Sequence, residues 1–146
     1  MARFFFSLDK VLRWRSVELS AEEAKLKRLV QEEQQLQTRR IAMQTERSKV
    51  ASSPGTLPDV TGSDLRSVTA YGLRLRREAE TLAHELVRCQ RDLAAQRKSY
   101  NEAKRRTRLL EELKKRKLEE WTYEQGRLLE ELASESFLAN WNREQK

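Results

Sequence analysis

The sequence predicts an all-α protein, a long antiparallel two-helix coiled-coil hairpin whose C-terminal helix extends beyond its partner. Charged residues make up 36% of the 146 residues and apolar residues 38%, against about 25% and about 45–50% in globular domains. Four Gly and two Pro are too few for the many turns of an all-β fold. Apolar residues also recur at heptad spacing on both sides of a single Pro- and Gly-rich break.

The first helix is predicted at about residues 7–50, with Ser7 as its candidate N-cap. Its apolar residues recur in alternate steps of three and four, the spacing of a coiled-coil seam, meaning the row that faces a partner helix. The members of this seam are Leu12, Leu19, Leu26, Leu29, Leu36, Met43 and Val50. Charged residues occupy further seam positions, namely Arg15, Glu22, Glu33 and Arg40. The first seam is therefore imperfect.

The break is predicted at about residues 51–63, which hold both prolines and two of the four glycines. Because Pro lacks an amide hydrogen and fixes φ, no helix is expected to cross it. A connection of about a dozen residues makes the two helices antiparallel neighbours. With Val50 placed opposite Asp64, the residue numbers of two facing residues add up to about 114. Leu8 is therefore expected near residue 106.

The second helix is predicted at about residues 64–142, capped by Ser63 or Asp64. Its seam reads Leu75, Ala79, Leu82, Leu86, Cys89, Leu93, Gln96, Tyr100, Ala103, Thr107 and Leu110, with Trp121 and Leu128 in the same phase. The expected register leaves more than about 30 residues unpaired, roughly 45–55 Å of helix. That end carries Trp121, Tyr123, Leu128, Leu129, Leu132, Phe137, Leu138 and Trp141. Docking into another protein is favoured, and packing on residues 4–6 or in a homodimer is the alternative.

The residues do not favour an enzyme, a cofactor or a metal. One His and one Cys cannot form a Cys/His zinc site. Cys89 occupies a seam position and is predicted to be a small packing residue. Adjacent glutamates on a helix point about 100° apart and do not converge on a substrate. A thin pair of helices offers no concave pocket for a small-molecule substrate. Without a transmembrane run or a secretory signal, the chain is expected to be cytoplasmic.

The charge pattern indicates a macromolecular partner. The chain carries a net charge of +7, and residues 97–117 hold ten Lys or Arg against three Glu. Such a basic surface attracts an acidic protein, and it also binds the phosphates of nucleic acid. An acidic protein is the favoured partner and nucleic acid the second choice.

Two stretches near the ends of the chain carry a distinctive pattern. They are residues 6–15 (Phe-Ser-Leu-Asp-Lys-Val-Leu-Arg-Trp-Arg) with 17–18 and 22–24, and residues 113–121 (Leu-Lys-Lys-Arg-Lys-Leu-Glu-Glu-Trp) with 125 and 129–133. These stretches resemble the two ends of the FliJ family of flagellar type III export stalk proteins. That family tends to open with Phe-x-Leu and Leu-x-x-Arg. It resembles this chain in length and in having one central break.

The resemblance implies a fold similar to the γ-subunit stalk of rotary F-type ATPases, in one coiled-coil domain spanning residues 1–146. It implies a protein that binds the hexameric flagellar export ATPase and promotes its assembly and activity. It also implies contacts with the membrane-embedded export gate and with export chaperones. The implied location is cytoplasmic, peripheral to the inner membrane at the flagellar base, in support of flagellum assembly, motility and chemotaxis.

Under this resemblance the two ends of the pair receive different candidate partners. The candidate contacts with the export ATPase are Phe4, Phe5, Phe6, Arg13, Trp14, Arg116, Lys117 and Trp121. The candidate contacts with the export gate are Ile41, Met43, Tyr71 and Leu75. Two alternatives remain open: the stalk protein of a virulence type III secretion system, and a coiled-coil nucleic-acid-binding or scaffold protein.

Overall fold

The computed structural model describes residues 3–52 and 59–145, and these are all-helical with two helices packed against each other, as the sequence predicts. Helix α1 runs Asp9–Ser52 over 44 residues, and helix α2 runs Gly62–Glu144 over 83 residues. No strand occurs in the described ranges. The chain divides into two compact units: unit 1 comprises Met1–Leu19 with Glu102–Lys146, and unit 2 comprises Ser20–Asn101.

The helix caps differ from the expected ones. Ser7 lies in a turn ahead of α1, where the Asp9 amide donates to the Phe6 carbonyl at 3.1 Å. At α2 the cap is Thr61 rather than Ser63 or Asp64. The Asp64 amide donates to Thr61 Oγ1 at 3.4 Å, and the Thr61 amide donates to Asp64 Oδ2 at 3.1 Å. This reciprocal capping box satisfies two amides that a helix start leaves unpaired.

Unit 2 is held together by the predicted seam. Its most buried side chains all lie on α2: Leu75, Leu82, Leu86, Cys89 and Leu93. Facing them, the α1 seam residues from Leu26 to Val50 are half-buried. Gln96 Nε2 donates to the Glu22 carbonyl at 3.1 Å and also to the Glu22 carboxylate. The Tyr71 hydroxyl donates to Glu46 Oε1 at 3.4 Å. Since the partner position on α2 rises as that on α1 falls, the stretches pack antiparallel.

Unit 1 pairs the start of the chain with the second half of α2. Phe6, Ala103 and Thr107 are buried in it. Thr107 Oγ1 donates to the Ala103 carbonyl at 2.9 Å and to the Arg15 carbonyl at 3.3 Å. The buried hydroxyl is therefore satisfied both within α2 and across to α1.

The expected register is wrong by about one heptad. Val50 lies beside Gly72 and not opposite Asp64, since a Cβ at residue 72 would come 4.0 Å from Val50 Cγ1. At the other end Asp9 pairs with Lys114, so Leu8 is not near residue 106. Coiled-coil patterning alone does not determine the register of the two helices, because a slip of one heptad brings equivalent seam positions together. The unpaired part of α2 consequently begins after Trp121, and residues 122–145 are exposed apart from the half-buried Gln125.

Candidate partner-binding surfaces

The N-terminal segment of unit 1 folds against α2 through aromatic rings. The Phe4 and Trp121 ring centroids lie 5.9 Å apart at an interplanar angle of 58°. Phe6 is buried, and Lys114 Nζ lies 5.9 Å from the centroid of its ring. Tilted aromatic pairs at this distance are favourable contacts. Three candidate ATPase contacts, Phe4, Phe6 and Trp121, are thus engaged within the unit.

An ion-pair network ties the start of α1 to α2. Asp9 pairs with Lys114 at 2.7 Å and with Arg13 at 2.9 Å. The hydrogen bond from Lys114 is the main reason that the pKa of Asp9 lies below its ordinary value, and desolvation opposes it. The sequence pattern does not reveal this pairing, because Asp9 and Lys114 are 105 positions apart.

Other candidate ATPase contacts point to solvent. Phe5 is 84% exposed, and Trp14 is exposed with the Arg15 guanidinium 4.5 Å from its ring centroid. Lys117 pairs with Glu120 at 2.7 Å, and this hydrogen bond raises the pKa of Lys117. Arg116 is exposed and forms no ion pair within the described chain. Beside Phe5 lies an open cleft, lined by Arg3, Phe4, Phe5, Phe6, Asp9, Arg13 and Lys114.

Beyond Trp121, α2 exposes large apolar side chains to solvent. They are Tyr123, Leu128, Leu129, Leu132, Phe137, Leu138 and Trp141. Uncovered aromatic and aliphatic groups of this size are typical of surfaces that bind another protein. The charge also changes sign there, since residues 119–135 hold six Glu and one Arg.

The candidate gate contacts of unit 2 divide into exposed and packed residues. Ile41 is 65% exposed and Tyr71 is partly exposed, with its hydroxyl bonded to Glu46. Leu75 is buried and Met43 is half-buried in the seam. These two side chains therefore pack between the helices of unit 2 and offer little surface to a partner.

Two features of unit 2 lie outside the sequence-based assignment. Leu65 and Leu73 are exposed on the outer face of α2 and line a shallow cleft with Thr69. Their spacing of eight residues, two helical turns, is the signal that identifies them. An open groove also runs between the helices, lined by Arg40, Met43, Gln44, Arg47, Ala79, Leu82, Ala83, Leu86 and Val87.

The reactive side chain of unit 2, the Cys89 thiol, has a structural role. The Cys89 thiol donates to the Leu29 carbonyl at 3.7 Å. Burial is the main reason that its pKa is raised, with Glu32, Glu33 and Asp92 adding to the effect. A thiol held protonated in an apolar setting is a packing residue and a poor nucleophile. Within the described ranges, no group of three or more His, Cys, Asp or Glu is arranged to hold a metal.

One of three comparisons with known proteins identifies a family. A family model described as the flagellar FliJ protein matches residues 4–139. No curated protein and no solved structure shows a significant match. In the part of the chain that the structure describes, neither helix has a stretch long and apolar enough to cross a membrane.

Proposed function

This chain belongs to the FliJ family of flagellar export proteins, and we propose that it is a stalk component of the flagellar type III export apparatus. It acts by binding and has no catalytic activity of its own. It binds the hexameric export ATPase, promotes assembly and turnover of the ring, and links the ring to the export gate and to export chaperones. Its place is the cytoplasmic face of the inner membrane at the flagellar base.

The observation that carries the proposal is the uncovered apolar stretch of α2 after Trp121. A helix of this kind is marginal by itself, because most helical stability in proteins comes from packing. Its exposed side chains include Leu128, Leu132 and Phe137. Insertion into the central opening of a ring covers such a helix from all sides, as the γ-subunit stalk is covered in rotary ATPases. We propose a similarity to that subunit in this antiparallel pairing.

The exposed aromatics near the start of the chain supply the second half of the proposed ATPase contact. Phe5 and Trp14 are both exposed within unit 1, and the ring of Trp14 lies beside the guanidinium of its neighbour Arg15. Aromatic residues and Arg are enriched in the cores of protein interfaces. We therefore expect Phe5, Trp14 and Arg116 to bind the ring, while Phe4, Phe6 and Trp121 hold the segment that presents them.

The proposed gate contact depends on the exposed members of its candidate set. Ile41 and the ring of Tyr71 are exposed to a partner, whereas Met43 and Leu75 pack between the two helices of unit 2. Replacing Ile41 and Tyr71 by Ala should weaken binding to the cytoplasmic domain of the gate protein without lowering helicity. Val87→Ala, at another exposed apolar position of α2, is the matched control. Unchanged gate binding by the double variant would remove this assignment.

The ATPase contact is tested by ATP hydrolysis and light scattering with the flagellar export ATPase of the same organism. Added full-length chain should raise hydrolysis and the amount of assembled ring. The double variant Phe5→Ala and Trp14→Ala should lose much of this effect. Val17→Ala, an equally exposed apolar position of α1, should retain it. A chain that leaves hydrolysis unchanged but binds random duplex DNA at physiological salt would favour the nucleic-acid alternative.

A further inference from the structure

Near the start of α2, two exposed leucines lie beside two arginines on one face of the helix. Leu65 is 52% exposed and Leu73 is 53% exposed, and both line a shallow cleft with Arg66 and Thr69. Arg77 follows Leu73 by about one helical turn. At about 100° per residue, these five residues lie within roughly 120° of arc. All five are exposed and belong to unit 2, and together they form what we call the leucine–arginine face.

The two arginines of this face are not neutralised within the described part of the chain. The neighbouring Arg74 and Arg76 pair along α2 with glutamates at 2.9 Å and 3.4 Å, whereas Arg66 and Arg77 form no ion pair there. An arginine is always charged, and its guanidinium binds phosphate and carboxylate groups with several donors at once. Both arginines are therefore available to an anionic ligand.

The surrounding part of unit 2 is basic as well. Residues 39–52 and 59–77 together hold eight Lys or Arg against three Asp or Glu. The two stretches are neighbours in the structure, since a Cβ at residue 72 would come 4.0 Å from Val50 Cγ1. A surface with such an excess of cations attracts anionic partners. The leucine–arginine face thus combines exposed apolar side chains with a positive field.

This combination matches the surface of an anionic lipid bilayer. Leucine side chains enter the boundary between headgroups and acyl chains, while arginine side chains extend to the lipid phosphates. Each Lys or Arg near an anionic membrane surface strengthens binding by about fivefold. A bilayer is also flat, so it can contact a shallow helical face that offers no deep pocket.

Two other macromolecular partners fit this face less well. The energetically dominant residues of protein interfaces are mostly aromatic residues and Arg, with Leu under-represented, and none of the five residues here is aromatic. Binding to a nucleic acid backbone depends on cations that neutralise successive phosphates. On this face the exposed side chain of Leu73 lies between Arg66 and Arg77 and has no use in a phosphate contact.

We propose that the leucine–arginine face binds the surface of an anionic lipid bilayer. Leu65 and Leu73 enter the interface, and Arg66 and Arg77 bind the phosphates of the lipid headgroups. The inference deepens the proposed function and rests on it for the place of the chain at the inner membrane. Direct lipid binding holds unit 2, which carries the candidate gate contacts, at the membrane in which the export gate is embedded.

Flotation of the purified full-length chain with lipid vesicles tests the proposal. The vesicles contain phosphatidylcholine alone or with about 30 mol% phosphatidylglycerol, at about 0.15 M salt. The chain should float with the anionic vesicles and should be released as the salt concentration rises. Arg66→Gln with Arg77→Gln should weaken binding by about 30-fold, since each cation contributes about fivefold. Leu73→Gln should weaken it by about tenfold, because the side chain no longer enters the interface.

The chain offers a matched control for each variant. Arg88→Gln with Arg91→Gln removes the same charge from exposed positions of the same helix and unit. These positions lie more than a Debye length from the face, so binding should stay within about threefold of the wild type. Val87→Gln, at an exposed apolar position, is the control for Leu73→Gln and should bind as the wild type does. Circular dichroism of each variant controls for helix content.

Three outcomes would overturn the proposal: no binding to the anionic vesicles, equal binding to vesicles of phosphatidylcholine alone, or equal losses in the two double arginine variants. Tighter binding to random duplex DNA than to the anionic vesicles would assign the face to nucleic acid instead. No export ATPase or gate protein is present in these measurements. Failure here therefore leaves the proposed ring and gate contacts to be judged by their own assays.

Discussion

Removing one buried seam leucine tests how the two helices are held together. Leu82 is 4% exposed and, with Met43, lines the open clefts on both sides of the helix pair. Leu82→Ala joins these clefts, so the lost volume opens to water and leaves no closed cavity. The cost is then mainly the transfer term, about 0.8 kcal/mol for each of three carbon groups. We expect a loss of about 2–2.5 kcal/mol in the free energy of unfolding, at the low end of the range for such changes.

The assay is urea unfolding followed by circular dichroism at the helical band. Leu73→Ala is the matched control, because it makes the same substitution on the same helix at a position 53% exposed. Its cost should stay below about 1 kcal/mol. Equal costs for the two variants would refute the view that this seam, rather than helix propensity, stabilises unit 2.

Three further predictions concern unit 1. Trp121→Ala removes the ring contact with Phe4 and should lower the stability of unit 1 by about 1–2 kcal/mol, with faster hydrogen exchange in residues 3–8. The pKa of Asp9 is lowered from 3.8 by Lys114, so its stabilising effect is present above that value and is lost as the pH falls through the lowered pKa. Wild type and Asp9→Asn should therefore differ in urea midpoint at pH 7 and converge in acid. Gly126→Ala places a Cβ where nothing lies within 4 Å and should stabilise the surrounding helix by up to about 1 kcal/mol, read by hydrogen exchange.

Each of these predictions has a contradicting outcome. Unchanged exchange in residues 3–8 after Trp121→Ala would mean that the aromatic contact does not hold the segment. A constant difference between wild type and Asp9→Asn across the acid range would assign the effect to something other than ionisation. A destabilising Gly126→Ala would indicate a contact that the open surroundings of Gly126 do not predict.

The seam of α2 was predictable because burial on a thin helix pair follows heptad spacing closely. The predicted members from Leu75 to Leu110 are all buried or half-buried, including the polar Gln96 and Thr107. Heptad periodicity predicts which face of the helix is covered, whether the side chain at a seam position is apolar or polar. Leu128 shows the limit, since it continues the phase but has no partner helix beside it and is exposed.

The register was not predictable from the same pattern. A heptad repeat fits the partner equally well after a slip of one repeat, so a wrong anchor at the loop moves every contact. Particular pairs identify the register: Gln96 with Glu22, Thr107 with Arg15, and Lys114 with Asp9. Each joins residues more than seventy positions apart. Spacing along one helix carries no information about them.

The candidate partner contacts were also predictable only in part. The sequence identifies large aromatics at the ends of the chain, and their chemistry suits protein partners. Only the contacts show that Phe4 and Trp121 hold each other while Phe5 and Trp14 face water. Met43 and Leu75 likewise lie on the predicted seams, where packing and partner binding give the same sequence signal.

Deletion of residues 122–146 tests the central claim most directly, because it removes the uncovered helix and leaves the Phe4–Trp121 contact in place. The measurement is ATP hydrolysis by the hexameric flagellar export ATPase against increasing amounts of full-length or shortened chain. The account predicts saturable stimulation by the full-length chain and its loss with the shortened one at unchanged helicity per residue. Equal stimulation by both chains, or none by either, would contradict it.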